Sequence, residues 1–339
     1  MNSSEYSEPD GGWEWITGEP LDYTSWYGNE PNDNGGSQHF GVYNFNSPSL
    51  WDDQSLTQVS SRVWILERSE DFVLGCNDPY ADNYDEDATY DDGSCSGYPD
   101  NGDYALSFDG DGDWVSLNQN KPISGIDNTF SIAAKFNLSS SFNRFNQFTG
   151  IYHHRADNDD ISLRVLHNND GDILEYHIHH YNIITFPINF GDWYDVVGTY
   201  DGEKMRLYIN GSIVDSLAVN LEVDWDVDFE GEGIGGDFFG QAESMDGLIN
   251  RVSVWNQKLT ASEIQNNHEN DVLFNQNGLV ADYRFNSGEG DVLYDHSGNQ
   301  NHGSIIGAQW NSEILGCMDP FALNYDENAT SDDGSCNYL

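Results

Sequence analysis

The stretch Met205-Arg206-Leu207-Tyr208-Ile209-Asn210-Gly211-Ser212-Ile213-Val214-Asp215-Ser216-Leu217 decides the fold class. Two runs of aliphatic, aromatic and β-branched residues flank Asn-Gly. That dipeptide suits a type I′ turn, where both central residues take positive φ, so the stretch reads as a β-hairpin. Working outward, alternating segments recur at short spacing over residues 130–136, 161–167, 173–181, 193–200 and 247–255. Residues 104–115 read as two short strands joined by a Gly/Asp turn. Thr260-Ala261-Ser262-Glu263 fits a capping box opening one short helix. Many strands, 34 glycines and a single helix predict a mainly β protein built on an antiparallel β-sandwich.

These residues also carry a family resemblance. Phe108-Asp109-Gly110 with Trp114-Val115, Gly198-Thr199-Tyr200-Asp201-Gly202, Leu207-Tyr208-Ile209-Asn210-Gly211, Asp246-Gly247-Leu248-Ile249-Asn250-Arg251-Val252 and Leu259-Thr260-Ala261-Ser262-Glu263-Ile264 resemble a laminin-G-like, concanavalin-A-like jelly roll. Residues 278–285, Asp295-His296-Ser297-Gly298-Asn299 and Gly307-Ala308-Gln309-Trp310 resemble the strand pair that accompanies such modules in bacterial surface proteins. The resemblance assigns residues 98–312 to this module. It implies binding of glycans or proteins, a spacer role, or in some branches polysaccharide hydrolysis. It also implies Ca²⁺ held by Asp109, Asp111 and Asp246, with ordinary turn aspartates as the equal alternative.

Residues 1–70 form a separate block. Trp13-Glu14-Trp15-Ile16, Glu30-Pro31-Asn32, Trp51-Asp52-Asp53 and Val63-Trp64-Ile65-Leu66-Glu67 resemble, in order, the C-terminal half of a C-type lectin-like α+β domain. That resemblance implies Ca²⁺ and sugar at Glu30, Asn32, Asp52 and Asp53, with Gln38 as a further metal ligand where a glutamate is usual. The family's cysteines and its N-terminal half are not in the sequence. A neighbouring chain or an upstream segment is therefore expected to complete the half-domain.

Residues 71–97 and 313–339 hold a repeat. Gly75 to Cys95 returns as Gly316 to Cys336, and the copies differ at only five positions: Asn77/Met318, Tyr80/Phe321, Asp82/Leu323, Asp87/Asn328 and Tyr90/Ser331. All four cysteines lie in these copies. Pairing within each copy, Cys76 with Cys95 and Cys317 with Cys336, is the simplest of three connectivities. Such a staple stabilises a loop of this length by about 3 kcal/mol in the chain-entropy treatment. Oxygen donors are dense: Asp78, Asn83, Asp85, Asp91 and Asp92, then Asp319, Asn324, Asp326, Asp332 and Asp333. They suit Ca²⁺, or else a solvated acidic spacer.

Twelve Lys+Arg against 59 Asp+Glu give a net charge of −47. A charge of that sign repels nucleic acid and anionic membranes, and Ca²⁺ is its natural counter-ion. No run is apolar enough to span a membrane. Disulfides point outside the cytosol. The start Met1-Asn2-Ser3-Ser4-Glu5 has no leader pattern, so a processed form or a segment of a precursor is expected. Two clusters could carry chemistry. Residues 222–230 alternate acidic and apolar, which would place carboxylates on one strand face, as a glycosidase pair or as a solvated edge. His153, His154, His177, His179 and His180 read as exposed strand histidines rather than a zinc site. The sequence thus predicts a non-enzymatic, extracellular or cell-surface protein that adheres to glycans or surface proteins with Ca²⁺. A repeating subunit of a filament is the alternative, and a polysaccharide hydrolase is the weakest reading.

Overall fold

A computed structural model describes residues 40–43, 51–54, 73–117, 122, 126, 128–139, 147–156, 160–168, 171–179, 181–221, 229–236, 243–270, 277–311, 315–326, 329–332 and 334–338. The chain divides into two units, Met1–Phe72 and Val73–Leu339. In the first, β1 (Phe40–Tyr43) pairs antiparallel with β2 (Trp51–Gln54), with Val42 opposite Asp52 and Gly41 opposite Asp53. Glu30, Asn32 and Gln38 lie outside the described residues.

The second unit opens with β3 (Leu74–Gly75) and β4 (Tyr90–Asp91), then β5 (Ala105–Asp109), β6 (Trp114–Ser116), β7 (Phe130–Leu138) and β8 (Gln147–Ala156). Next come β9 (Ile161–Asn168), β10 (Gly171–Ile178), β11 (Asn182–Ile188), β12 (Trp193–Tyr200), β13 (Lys204–Ile209) and β14 (Ser212–Ala218). After β15 (Phe229–Ile234) and β16 (Asp246–Trp255), helix α1 (Ala261–Asn270) leads to β17 (Leu279–Tyr283), β18 (Val292–Leu293), β19 (Gly303–Ile306) and β20 (Gln309–Asn311). The unit closes with β21 (Leu315–Gly316) and β22 (Ser331–Asp332).

Two antiparallel sheets form the sandwich. The front sheet runs β11-β10-β9-β8-β15-β6-β19-β18. The back sheet runs β14-β13-β12-β7-β16-β5-β20, with β17 also on β16. Strand β7 shows why the sequence folds this way: Phe130, Ile132, Ala134, Phe136 and Leu138 recur at period two and all enter the core. They meet Leu163, Val165, Leu174 and Tyr176 of the front sheet. The opposite face of the back sheet packs under α1, where Val197, Tyr208 and Trp255 meet Leu259 and Ile264. The helix starts as expected: the Thr260 N–H donates to Glu263 Oε2 at 2.7 Å, and the Glu263 N–H donates to Thr260 Oγ1 at 3.3 Å.

The β13–β14 hairpin also forms, with positive φ at Asn210 (48°) and Gly211 (75°). The Gly/Asp turn joins two short strands as expected, and these, β5 and β6, enter different sheets, so the turn crosses the sandwich edge. Two elements differ from the sequence reading. The segment 173–181 ends its strand at Ile178, and the chain reverses at His179 (φ 51°) into β11. Strand β8 was not anticipated, because a β-bulge between Gly150 and Tyr152 breaks its alternation. Of the acidic segment 222–230, residues 222–228 lie outside the described residues.

Candidate functional site

The acidic turn between β5 and β6 gathers the expected aspartates. Asp109 and Asp246 are cross-strand partners. The Asp111 N–H donates to Asp109 Oδ1 at 2.8 Å. A fourth carboxyl, Asp113, was not singled out from sequence; it is buried and accepts the Asp109 N–H at 3.0 Å. Burial pushes the Asp113 carboxyl up, and the neighbouring Asp109 and Asp111 charges add to that. These oxygens suit Ca²⁺ in kind. Among the described residues, however, no three His, Cys, Asp or Glu side chains converge closely enough to hold a metal ion.

The outer face of the front sheet carries a second polar group, and register builds it. Arg164 of β9 lies opposite Glu175 of β10 on one side and Gly150 of β8 on the other, and Ser162 lies opposite both His177 and His153. Arg164 Nε donates to Glu175 Oε2 at 2.9 Å, and Arg155 Nη2 to Glu243 Oε1 at 3.1 Å. His153 Nε2 stands 3.4 Å from Glu243 Oε2. The Arg164 guanidinium lies 3.9 Å over the Phe148 ring. Gly150 leaves room for the His153 ring, and its N–H donates to the Glu243 carbonyl at 2.7 Å. Burial holds the His153 imidazole well below the usual histidine range, and the Arg155 and Arg164 charges push the same way.

The histidines of this region are not exposed. His153, His154, His167 and His177 are all buried, each against a polar partner. His154 faces the core, where it and Tyr152 meet Glu232, also buried. Arg155, Arg164, Glu175 and Glu243 were not found from sequence. Each stands alone in its own segment: strand pairing brings Arg164 to Glu175, and the segment entering β16 brings Glu243 to Arg155. A separate groove beneath α1, lined by Lys135, Asp195, Arg251 and Trp255, holds about 30 Å³, enough for a water or two but not a sugar ring.

Both disulfides close within their repeats, Cys76–Cys95 and Cys317–Cys336. Inside each loop the acidic residues serve the backbone. Asp78 Oδ1 accepts the Tyr80 N–H at 3.0 Å, Asp85 Oδ1 the Asp87 N–H at 3.0 Å, Asp91 Oδ1 the Gly93 N–H at 3.0 Å, and Asp92 Oδ1 the Ser94 N–H at 2.9 Å. Asn83 bridges Ser94 and Ser96, as Asn324 bridges Ser335 and Asn337. Asp319 Oδ1 accepts the Phe321 N–H at 2.9 Å, and Asp332 Oδ1 the Gly334 N–H at 3.1 Å. The Asp326 N–H donates to the Cys317 carbonyl, and Asp333 lies outside the described residues. This accounts for much of the acidic pattern without an ion.

The first loop packs on the sandwich. Its seat is the β18–β19 connection, residues 294–302, organised by the buried Asp295 carboxylate. That carboxylate accepts the N–H groups of Asp282, Ser297 and Asn301 and the Ser297 hydroxyl. The Asp295 N–H donates to His302 Nδ1 at 2.9 Å, so the ring proton sits on Nε2, facing Asp78 Oδ2 at 2.7 Å. Tyr98 also donates to Asp78 Oδ2, at 2.7 Å, and Gln300 donates to Asn77 at 3.0 Å.

Residues 109–265 match a family model, the concanavalin A-like lectin/glucanases superfamily. No curated protein matches the chain. Similar solved structures include a candidate carbohydrate-binding protein from Bacteroides ovatus, 21% identical, covering 64% of this chain and 61% of that one, with a TM-score of 0.46. A heptameric SAP-like pentraxin from Limulus polyphemus is 18% identical over 49% of this chain and 82% of its own, with a TM-score of 0.38. The CBM40 of Ruminococcus gnavus IT-sialidase, bound to α2,3 sialyllactose, is 12% identical over 48% and 95%, with a TM-score of 0.40. Antiparallel pairing, two face-to-face sheets and the family match agree: residues 109–265 are a concanavalin A-like jelly roll.

Proposed function

We propose that this chain is an extracellular, non-enzymatic adhesion protein that binds carbohydrate on the outer face of its front sheet. The observation that carries the reading is the Arg155–Glu243 and Arg164–Glu175 layer beside Phe148. A guanidinium and a carboxylate fixed side by side offer donor and acceptor to vicinal hydroxyls, and an aromatic ring offers a sugar its apolar face. Arg155 is half-buried at 30% exposure, Arg164 and Glu243 are less open, and Glu175 is buried beneath Arg164. In a chain of net charge −47, this face sets two guanidinium groups among its carboxylates Glu175, Glu243 and Asp160. The match to a superfamily that includes lectins supports the same reading. Binding is favoured over hydrolysis because both carboxylates already have an oxygen engaged by a guanidinium. Ca²⁺ enters this reading on donor chemistry alone, because Asp109, Asp111 and Asp246 would have to draw closer than they stand to share an ion.

A glycan array with the full chain tests this. Binding should fall by about 10- to 100-fold in Arg164→Ala and in Arg155→Ala, the loss of one charged hydrogen-bonding partner. It should weaken when EDTA removes divalent ions. Unchanged binding in both variants would displace the site. Release of reducing ends from a bound polysaccharide would replace binding with hydrolysis.

A further inference from the structure

We infer that the second Cys-bracketed loop is a plug for a separate jelly-roll module, one that presents a histidine- and tyrosine-lined seat like residues 294–302 of this chain. The first loop shows how such a plug works. Its Tyr80 ring meets Tyr294 and His302 at centroid distances of 5.7 and 5.4 Å. Its Tyr98 ring lies 5.1 Å from His302 and 5.5 Å from His296. Asp78 is 2% exposed in the docked state.

The second loop repeats the internal geometry of that plug. Tyr338 donates to Asp319 Oδ2 at 2.8 Å, as Tyr98 donates to Asp78 Oδ2 at 2.7 Å. The Asp326 N–H meets the Cys317 carbonyl at 2.9 Å, as the Asp85 N–H meets the Cys76 carbonyl at 2.8 Å. A two-residue parallel ladder closes each loop. Yet Phe321 is 88% exposed, Leu323 63%, Tyr338 56% and Met318 46%. Among the described residues, no imidazole meets Asp319.

The differences between the copies are not scattered. Of the five, three replace Asn77, Tyr80 and Asp82 by Met318, Phe321 and Leu323. All three changes raise hydrophobicity, and all three fall on exposed positions of the second loop in a chain otherwise dominated by carboxylates. The Asn77–Gln300 hydrogen bond has no counterpart at Met318, so the partner seat carries an apolar group where this chain has Gln300. The Asp319 carboxylate, kept in the same local geometry as Asp78, calls for a donor such as His302 supplies. A second copy of this chain does not fit as partner, because its seat is already filled by its own first loop.

Two experiments on the full chain test this. In the first, a chain carrying Asp78→Ala, Tyr80→Ala, Gln300→Leu and Phe321→Asp has an emptied, more apolar seat and a disabled plug. Mixed with the unaltered protein, it should sediment as a one-to-one complex. That complex should vanish when the unaltered protein is replaced by its Phe321→Asp variant. Absence of a complex, persistence of the complex with Phe321→Asp, or self-association of the unaltered protein would each overturn the inference. In the second, Asn77→Met, Tyr80→Phe and Asp82→Leu write the second loop's face onto the first. With Gln300→Leu, this chain should keep its Tm within about 2 °C, a shift of about 1 kcal/mol for a unit of this size. A fall as large as that of Asp78→Ala with Tyr80→Ala would show that the face cannot occupy such a seat.

Discussion

The two Cys-bracketed loops are nearly the same sequence and the same local fold, yet the first is seated on residues 294–302, while the second, whose Gly334 lies beside Trp193, leaves Phe321 and Leu323 exposed. Cys76, Ala81, Cys95 and Tyr98 form a small cluster with Tyr294, while Phe321 and Leu323 of the second loop face solvent. The disulfide, the Asx turns and the short ladder are written locally, so both copies contain them. Seating rests on Asn77, Asp78, Tyr80 and Tyr98, which meet a surface far away in sequence at residues 294–302. A stapled acidic loop is therefore not only a spacer; the first copy is part of the folded unit.

The largest expected effect follows from the staples. Replacing Cys76 and Cys95 by serine should cost about 2–5 kcal/mol of global stability, because the loop they close is packed on the sandwich. Replacing Cys317 and Cys336 should leave the main unfolding transition within about 0.5 kcal/mol, as for changes away from buried contacts. Calorimetry on both double variants decides this, and equal losses would erase the distinction.

Asp78→Ala should come next, at about 3 kcal/mol in urea unfolding, because it leaves the buried Tyr98 hydroxyl and His302 N–H without their acceptor. Asp319→Ala, at an exposed pair, should leave the urea midpoint almost unchanged.

The smallest effect is in pH. Burial opposes ionisation of Asp78, but the bonds from Tyr80, Tyr98 and His302 outweigh it and hold the carboxyl below the usual range. Its contribution is present above the unfolded carboxylate pKa and is lost as pH falls through the folded value. His296, beside Tyr98 in the seat, is pushed down to about 4, first by burial and then by Arg284. Between its ordinary value near 6.5 and 4, the unfolded chain binds a proton that the folded chain refuses, so stability declines as pH falls through that window. Tm measured from pH 7 to 4 should drop, and His296→Gln should flatten the upper part of that curve.

Much of the fold was legible. Asn210-Gly211 and Thr260 with Glu263 carry their geometry in the local sequence, and the period-two apolar pattern of β7 names its buried face. Strand β8 was not legible, because a bulge and five polar or histidine positions hide its period. The acidic turn was read in part: Asp109, Asp111 and Asp246 come together, while buried Asp113 looked like one more turn residue. The Arg155, Arg164, Glu175 and Glu243 layer was not read at all, since none of the four stands near its partner in a motif.

The sequence by itself determined most of the strands and turns and the acidic charge, and favoured the pairing of each cysteine within its repeat, because each rests on local pattern or on composition. Tertiary structure alone decided which sheet received β5 and which β6, which charges met on the outer face, and which of two near-identical loops found a seat. Those outcomes depend on register and on contacts across more than 200 residues, such as Asp78 with His302, and no local pattern encodes them.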